Sequence, residues 1–230
     1  MQKSYSLALK GGIVFSALTG VIFTMLSDGQ SATDGLGSLL YFTQQSNLWL
    51  AGIALTMLLC GILERRQNVA VIQPWMYVAR LAFTVSISLT GLIFCFVLAP
   101  ASQGAFSPWT KENFFTHVLA PILAILDFFT DVGLHKFSKK QTLFCLAPPL
   151  YYFVFALFCD YARVDFGGGS HYPYFFLNFH SPAGWFGVGG AFPYPFGTFY
   201  WVLALLVLVL SLGYLYAWGY NRLQTKRANG

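Results

Sequence analysis

Charge is what this sequence has least of. Only 9% of its 230 residues are Asp, Glu, Lys or Arg, whereas a soluble domain carries about 25%. A globule of this size could not cover its surface with polar groups, so a water-soluble fold is excluded. Cysteine is also scarce. Cys60, Cys95, Cys145 and Cys159 all fall in apolar runs and no C-x-x-C occurs, which argues against a disulfide framework, a thiol-redox site or a cysteine zinc site. Of these, Cys95 and Cys159 are near matching ends of their runs, the one place where a bridge is conceivable. The 22 glycines and 10 prolines are too few for a collagen-like or low-complexity chain. What fills the sequence instead is 57% hydrophobic residues, 19% of the chain being aromatic, and such a composition cannot stay disordered in water. The solvent it suits is a lipid bilayer.

A net charge of +5 invites a nucleic-acid reading, because basic chains neutralise phosphates. The distribution argues otherwise. The cations form short clusters between long apolar runs, where membrane proteins carry their orientation signals, so no nucleic-acid partner is expected.

A helix needs roughly 20 mostly apolar residues to cross about 30 Å of hydrocarbon. Six runs qualify: Leu7–Leu26, Tyr41–Leu63, Trp75–Leu98, Phe114–Val132, Leu143–Tyr161 and Phe199–Tyr220. The chain therefore reads as all-α, a polytopic membrane protein with one transmembrane domain over residues 1–230. Pro121, Pro148 and Pro149 within these runs are tolerable, since neighbouring helices can satisfy the freed carbonyls. Lys3 ahead of the first run and Lys10 in its first turn give it the look of a secretory signal. The run is longer than a signal core and no A-x-A site follows it, so it is expected to be a retained helix. No internal repeat is visible.

Loop charges predict the topology. Lys3, Lys10, Arg65, Arg66, Lys136, Lys139, Lys140, Arg222, Lys226 and Arg227 flank one side of the six runs, while the other side has only Lys111 and Arg163. That other side also carries Asp28, Asp34, Glu112, Asp160 and Asp165. By the positive-inside rule both termini are cytoplasmic. One connection is long: 162–198, on the outer side, containing HYPYFFLNFH and SPAGWFGVGGAFPYPFG. Flexible linkers are polar, and so aromatic a loop is expected to fold back over the outer mouth of the bundle. A re-entrant element is the alternative.

Ionisable groups inside apolar spans are expensive and point to function by default. Arg80 and Asp127 are both about 8–11 Å inside the cytoplasmic boundary at ~1.5 Å per residue, which suggests a structural ion pair, with proton relay as the other reading. Asp131 reads as a wetted helix end and His135 as a solvated neighbour of the lysines. His117 differs, being near the outer start of the fourth run. Thr43 is close to the outer start of the second run, with Asn47 one turn deeper on the same face. If those spans are neighbours, a hydroxyl and an imidazole converge near the outer leaflet, the minimal nucleophile–base pair. Asn47, Ser46 or backbone amides are the candidates for binding substrate or an oxyanion. Each residue also has a structural role open to it, Thr and Ser bonding their own helix and Asn bridging helices. No acid in the outer half obviously orients His117; Glu112, Asp160 and Asp165 are loop candidates.

FTQQSN at 42–47, FFTHVLAPILAILDF at 114–128 and YPYFFL at 172–177 resemble the androgen-induced membrane hydrolase family and its bacterial integral-membrane relatives. Span count, topology and motif order agree over most of the chain. In that family a threonine in an early span and a histidine in a middle span are required for activity, and animal members hydrolyse fatty acid esters of hydroxy fatty acids. The resemblance implies Thr43 as acylated nucleophile, His117 as general base, membrane lipids as surroundings, a lipid ester as substrate, and no cofactor. The bacterial-type features are the closer ones, so the chemistry is implied more firmly than the lipid. Two other classes compete. A zinc hydrolase would use the outward histidines His117, His171 and His180 with Asp160 or Asp165. A transporter or lipid-binding protein would use Arg80 and Asp127 for proton coupling and the aromatic loop as a lid, although no paired broken helices of inverted repeats are seen.

Overall fold

Polar residues at the breaks between apolar runs decide where each helix begins and ends. The computed structural model describes residues 4–27, 35–101, 108–133, 135–191 and 193–228. Within them, six helices are long and apolar enough to cross a membrane: Ser4–Met25, Phe42–Gln67, Pro74–Ala101, Lys111–Thr130, Lys139–Tyr161 and Thr198–Arg227. These are spans one to six, and each overlaps a run read from the sequence. The protein is an all-α, multi-pass membrane protein. Lys3, Asp28 and Asp34 lie outside the described residues.

Span two stops at Asn68, whose left-handed backbone (φ 55°) turns its N–H onto the Glu64 carbonyl. Span three opens on Pro74, whose missing N–H costs nothing in a first turn. Span four begins at Lys111, ahead of the apolar run, because the Thr110 hydroxyl accepts the Asn113 amide at 3.4 Å and caps a polar first turn. Span five reaches back to Lys139 through a reciprocal box between Ser138 and Gln141.

The alternating spans give the bundle two ends. One bears the connection 162–198 and the starts of spans two, four and six, and is called the loop end here; the other is the terminal end. Span three packs against spans two, four, five and six. Its apolar stretch is 61% buried against 17% for span six, which puts span three at the centre and span six at the periphery. Spans one to four meet through Ile13, Leu50, Ile87 and the alanines Ala17, Ala51, Ala54, Ala120 and Ala124. Small side chains let helix backbones approach where no hydrophobic effect drives them together. Spans three to six meet through an aromatic cluster that includes Phe128, Tyr152, Tyr216 and Tyr220.

As expected, the connection 162–198 folds back over the loop end. Phe166, Phe176, Leu177 and Phe179 are buried, and Trp185 stacks on Phe179. Tyr41 donates its hydroxyl to the Phe166 carbonyl at 2.9 Å, tying span two to the loop. The four cysteines are free, so the conceivable Cys95–Cys159 bridge is not formed.

The terminal end holds the predicted Arg80–Asp127 pair, Nη2 to Oδ2 at 2.8 Å. Three expectations nearby need correcting. Lys10 is not a loop cation: it is fully buried within span one, its Nζ 2.8 Å from Asp127 Oδ1, 2.7 Å from Asp131 Oδ2 and 2.8 Å from Ser6 Oγ. Asp131 is no wetted end, since it completes a quartet of two cations and two anions whose charges cancel. His135 is not a free solvated ring. It stacks on Tyr77 with centroids 5.3 Å apart, and burial holds its pKa below the ordinary value.

Candidate functional site

Thr43, second residue of span two, and His117 of span four meet at the loop end. Thr43 Oγ1 lies 3.2 Å from His117 Nε2, and the two residues are 7% and 8% exposed.

Proline chemistry shapes this part of span four. Residues Phe114–Leu119 form a wide π turn, seen in the Ala120 N–H that bonds the Phe115 carbonyl five residues back. Pro121 has no N–H to offer the His117 carbonyl, and its ring would clash there in a regular helix; the wider turn relieves both problems. Such turns recur at functional sites. Span three repeats the device over Phe94–Leu98, with Ala99 N–H on the Phe94 carbonyl and Pro100 following. Both wide turns end in the same Leu-Ala-Pro run, 98–100 and 119–121. They face each other through Phe94, whose ring stacks on the His117 imidazole at 4.0 Å and 19°. Glycines on two neighbouring spans, Gly91 of span three and Gly20 of span one, permit close packing against the turn of span four. A Cβ on Gly91 would stand 2.9 Å from the His117 carbonyl oxygen, and one on Gly20 would stand 2.5 Å from Thr116 Cγ2.

The hydrogen bonds assign the imidazole tautomer. Thr116 has one hydroxyl proton and donates it to the Glu112 carbonyl at 2.9 Å. Its oxygen is also 2.9 Å from His117 Nδ1, so here the oxygen accepts and Nδ1 carries the proton. Nε2 is then bare and accepts the Thr43 hydroxyl. A threonine thus stands where an orienting acid was sought, and Glu112, Asp160 and Asp165 do not fill that role among the described contacts. An alcohol held on a bare imidazole nitrogen, with the far nitrogen fixed, is arranged for nucleophilic attack with proton transfer.

Asn47 and Ser46 are buried beside this couple, but their donors are occupied. Asn47 Nδ2 donates to the Thr43 carbonyl at 2.8 Å and to the Thr116 carbonyl at 3.3 Å, and Ser46 Oγ donates to the Thr43 carbonyl at 3.0 Å. Both residues hold the backbone of the site, and Asn47 binds span two to span four. The group found instead beside Thr43 is Tyr174, from the fold-back loop. Its hydroxyl is 3.5 Å from Thr43 Oγ1 and 3.4 Å from the Thr43 amide nitrogen. Tyr174 was legible only as part of YPYFFL, and Thr116 only as the neighbour of His117; neither carried a signal of its role.

Thr43 borders an apolar cavity between spans two, three, five and six. Its walls are hydrocarbon and aromatic, from Leu89, Ile93 and Leu98 on span three, Phe153 on span five, and Val202, Leu205 and Leu206 on span six. Thr90, Tyr152 and Tyr174 supply the other hydroxyls along it. Such a space fits an alkyl chain whose polar group stops at Thr43.

The remaining histidines do not join His117. His171 Nδ1 is 3.2 Å from the Val164 carbonyl. His180, its side chain 70% exposed, pairs with Asp160 at 3.0 Å. Among the described residues no group of three or more His, Cys, Asp or Glu side chains gathers in a geometry that would hold a metal ion. No family model matches the chain, and no curated protein and no solved structure matches it.

Proposed function

We propose that this protein is an intramembrane hydrolase of lipid esters, with fatty acid esters of hydroxy fatty acids among the candidate substrates. The observation that carries the proposal is the 3.2 Å contact between Thr43 Oγ1 and His117 Nε2 at the edge of an apolar cavity. The motifs FTQQSN and THVLAP, which resemble the androgen-induced membrane hydrolase family, point to the same two residues.

In the proposed reaction an acyl chain lies in the cavity with its ester carbonyl at Thr43. His117 Nε2 takes the hydroxyl proton as Oγ1 bonds to the carbonyl carbon, and Nδ1–H stays on Thr116. Collapse of the tetrahedral intermediate breaks the bond to the leaving oxygen, which takes the proton from Nε2. Water then attacks the acyl-threonine as His117 takes its proton, and the bond to Thr43 Oγ1 breaks as His117 returns that proton to Oγ1, releasing the fatty acid. Every step uses the chain's own groups and water, and no cofactor is called for. The loop-charge pattern orients the molecule with both termini cytoplasmic and the loop end outward, in the cell membrane if the source is bacterial. Thr43 then lies near the headgroup boundary, where deacylating water is available.

The test is covalent labelling. A fluorophosphonate should modify the detergent-solubilised protein, with the adduct mapped to Thr43 by mass spectrometry. Thr43→Ala should abolish labelling, Thr43→Ser should retain it, and His117→Ala should slow it by about 10²–10⁴-fold. Labelling that persists in Thr43→Ala overturns the proposal.

A further inference from the structure

We propose that Tyr174 is a further catalytic residue of this site, its hydroxyl receiving the oxyanion of the tetrahedral intermediate together with the Thr43 amide. The inference rests on the ester-hydrolase reading and adds the group that reading lacks, because the donors of Asn47 and Ser46 are already spent on backbone carbonyls.

The start of span two supplies one donor. The first N–H groups of a helix have no acceptor within it. Those of Gln44 and Gln45 turn back to the Tyr41 carbonyl, whereas the Thr43 amide faces the Tyr174 oxygen at 3.4 Å, a long contact that a stronger acceptor would displace. This amide stands in the first turn of a 26-residue helix, whose dipole favours negative charge at that place.

Tyr174 supplies the other donor. Three tyrosine hydroxyls surround the nucleophile's end of span two. Tyr41 gives its proton to the Phe166 carbonyl and Tyr152 gives its proton to the Leu40 carbonyl. The Tyr174 oxygen instead accepts from the Thr43 amide at 3.4 Å, and with the Thr43 hydroxyl turned to His117, Thr43 Oγ1 is the acceptor within reach of the Tyr174 proton at 3.5 Å. The ring is held by stacking on Phe176, with centroids 5.1 Å apart and planes 6° apart, and by the edge of Tyr41 at 5.7 Å. A donor fixed before the reaction needs no reorganisation when charge develops. Burial pushes the Tyr174 pKa up to about 12, so the phenol keeps its proton over the working pH range.

In the step itself, Thr43 Oγ1 forms its bond to the carbonyl carbon and His117 takes the proton. The carbonyl π pair moves to oxygen, and that oxygen enters between the Tyr174 O–H and the Thr43 N–H. On collapse the pair returns, the leaving oxygen departs with the proton from His117, and Tyr174 is unchanged.

Tyr174→Phe deletes the donor and keeps the stacked ring. With p-nitrophenyl octanoate and ethyl octanoate as probes, kcat should fall by about 10²–10³-fold on both, with KM within about threefold of wild type. A trifluoromethyl ketone, whose adduct with Thr43 carries the oxyanion, should weaken by a similar factor while inhibition by octanoate is unchanged. These two ligands report only on folded protein, so their ratio decides the matter even if the variant melts early. A kcat within about threefold of wild type, a loss confined to KM, or a loss confined to the alkyl ester overturns the role of Tyr174. If wild type labels at Thr43 and Tyr174→Phe turns over normally, only this inference falls. If wild type fails to label at Thr43, the ester-hydrolase reading falls and takes this one with it.

Discussion

Replacing Lys10 with methionine keeps most of the apolar stem and removes one charge from a neutral quartet. Asp127 and Asp131 must then share Arg80, which is 2.8 Å from the first and 3.7 Å from the second. At an effective dielectric of about 20, an ion pair at that shorter distance carries roughly 6 kcal/mol of attraction, most of it offset by desolvation. Removing one partner leaves the desolvation cost without its compensation, so the variant should lose about 3–5 kcal/mol. The side chains are only 1% to 12% exposed, so solvent screening takes little from that figure. In thermal unfolding of the detergent-solubilised protein, at about 2–4 °C per kcal/mol for a chain of this size, the midpoint should fall by roughly 6–20 °C. Adding Asp131→Asn restores neutrality and should recover most of the loss. Reversing the other pair, Arg80→Asp with Asp127→Arg, should not rescue, because the new guanidinium would face the Lys10 ammonium. Acid should act on the same network. Burial raises the Asp131 pKa, but Lys10 and Arg80 outweigh it and hold the carboxyl below its usual 3.8. Stabilisation from a depressed carboxyl is present above the unfolded value and is lost as pH falls through the folded one. The midpoint should therefore drop as pH goes below about 4, and Lys10→Met should flatten that drop. A Lys10→Met midpoint within about 2 °C of wild type, or rescue by the reversal, refutes the reasoning.

Thr116→Val removes the side-chain acceptor of His117 Nδ1–H and loosens the ring; turnover of p-nitrophenyl octanoate should fall by about 10²-fold, Thr116→Ser should restore it, and a Thr116→Val rate within about threefold of wild type counts against the relay. Gly91→Ala sets a methyl 2.9 Å from the His117 carbonyl oxygen, so the backbone under the imidazole must move, and kcat should fall by about tenfold or more. Gly12→Ala, where a Cβ would stand 3.4 Å from the end of the Leu123 side chain, is the control that should leave the rate unchanged and not lower the melting midpoint.

The placement of the spans was legible because crossing a membrane is a demand on local composition, and each run of apolar residues meets it alone. Helix ends were less so: Thr110 and Ser138 extend spans four and five through polar turns that hydropathy reads as loop. Depth was enough to bring Thr43 to His117 and Arg80 to Asp127, since each pair lies a similar distance from the same end of the bundle. Depth was not enough for Lys10, which looks like a flanking cation until span one is packed against span four. Thr116 was hidden for another reason. Successive residues on an α-helix point apart, and the pairing of Thr116 with the His117 ring belongs to a π turn that only the position of Pro121 hints at. Tyr174 depends on how an irregular loop folds, and no periodicity constrains such a segment.

Span four links the two polar regions of the molecule. Its start carries Thr116 and His117, and Asp127 and Asp131 stand at its other end. At the terminal end it is held by Lys10 and Arg80 and by Tyr5 and Arg227, which donate to the Thr130 carbonyl at 3.1 Å and 3.0 Å. A slip of one residue along the helix axis is about 1.5 Å, enough to carry His117 Nε2 out of reach of the Thr43 hydroxyl. The ionic quartet therefore fixes the register on which the proposed chemistry depends. It also explains why the relay behind His117 is neutral. Lys10 and Arg80, the two buried cations among the described residues, are committed at the terminal end, so a carboxylate behind His117 would be buried without a cationic partner, at a cost above that of burying a hydrogen-bonded hydroxyl. A threonine relayed to a backbone carbonyl fixes the tautomer and imports no charge. What it gives up is stabilisation of the imidazolium. In the proposed reaction that loss falls on the transition state, which places the more weight on donors waiting for the oxyanion, at the start of span two.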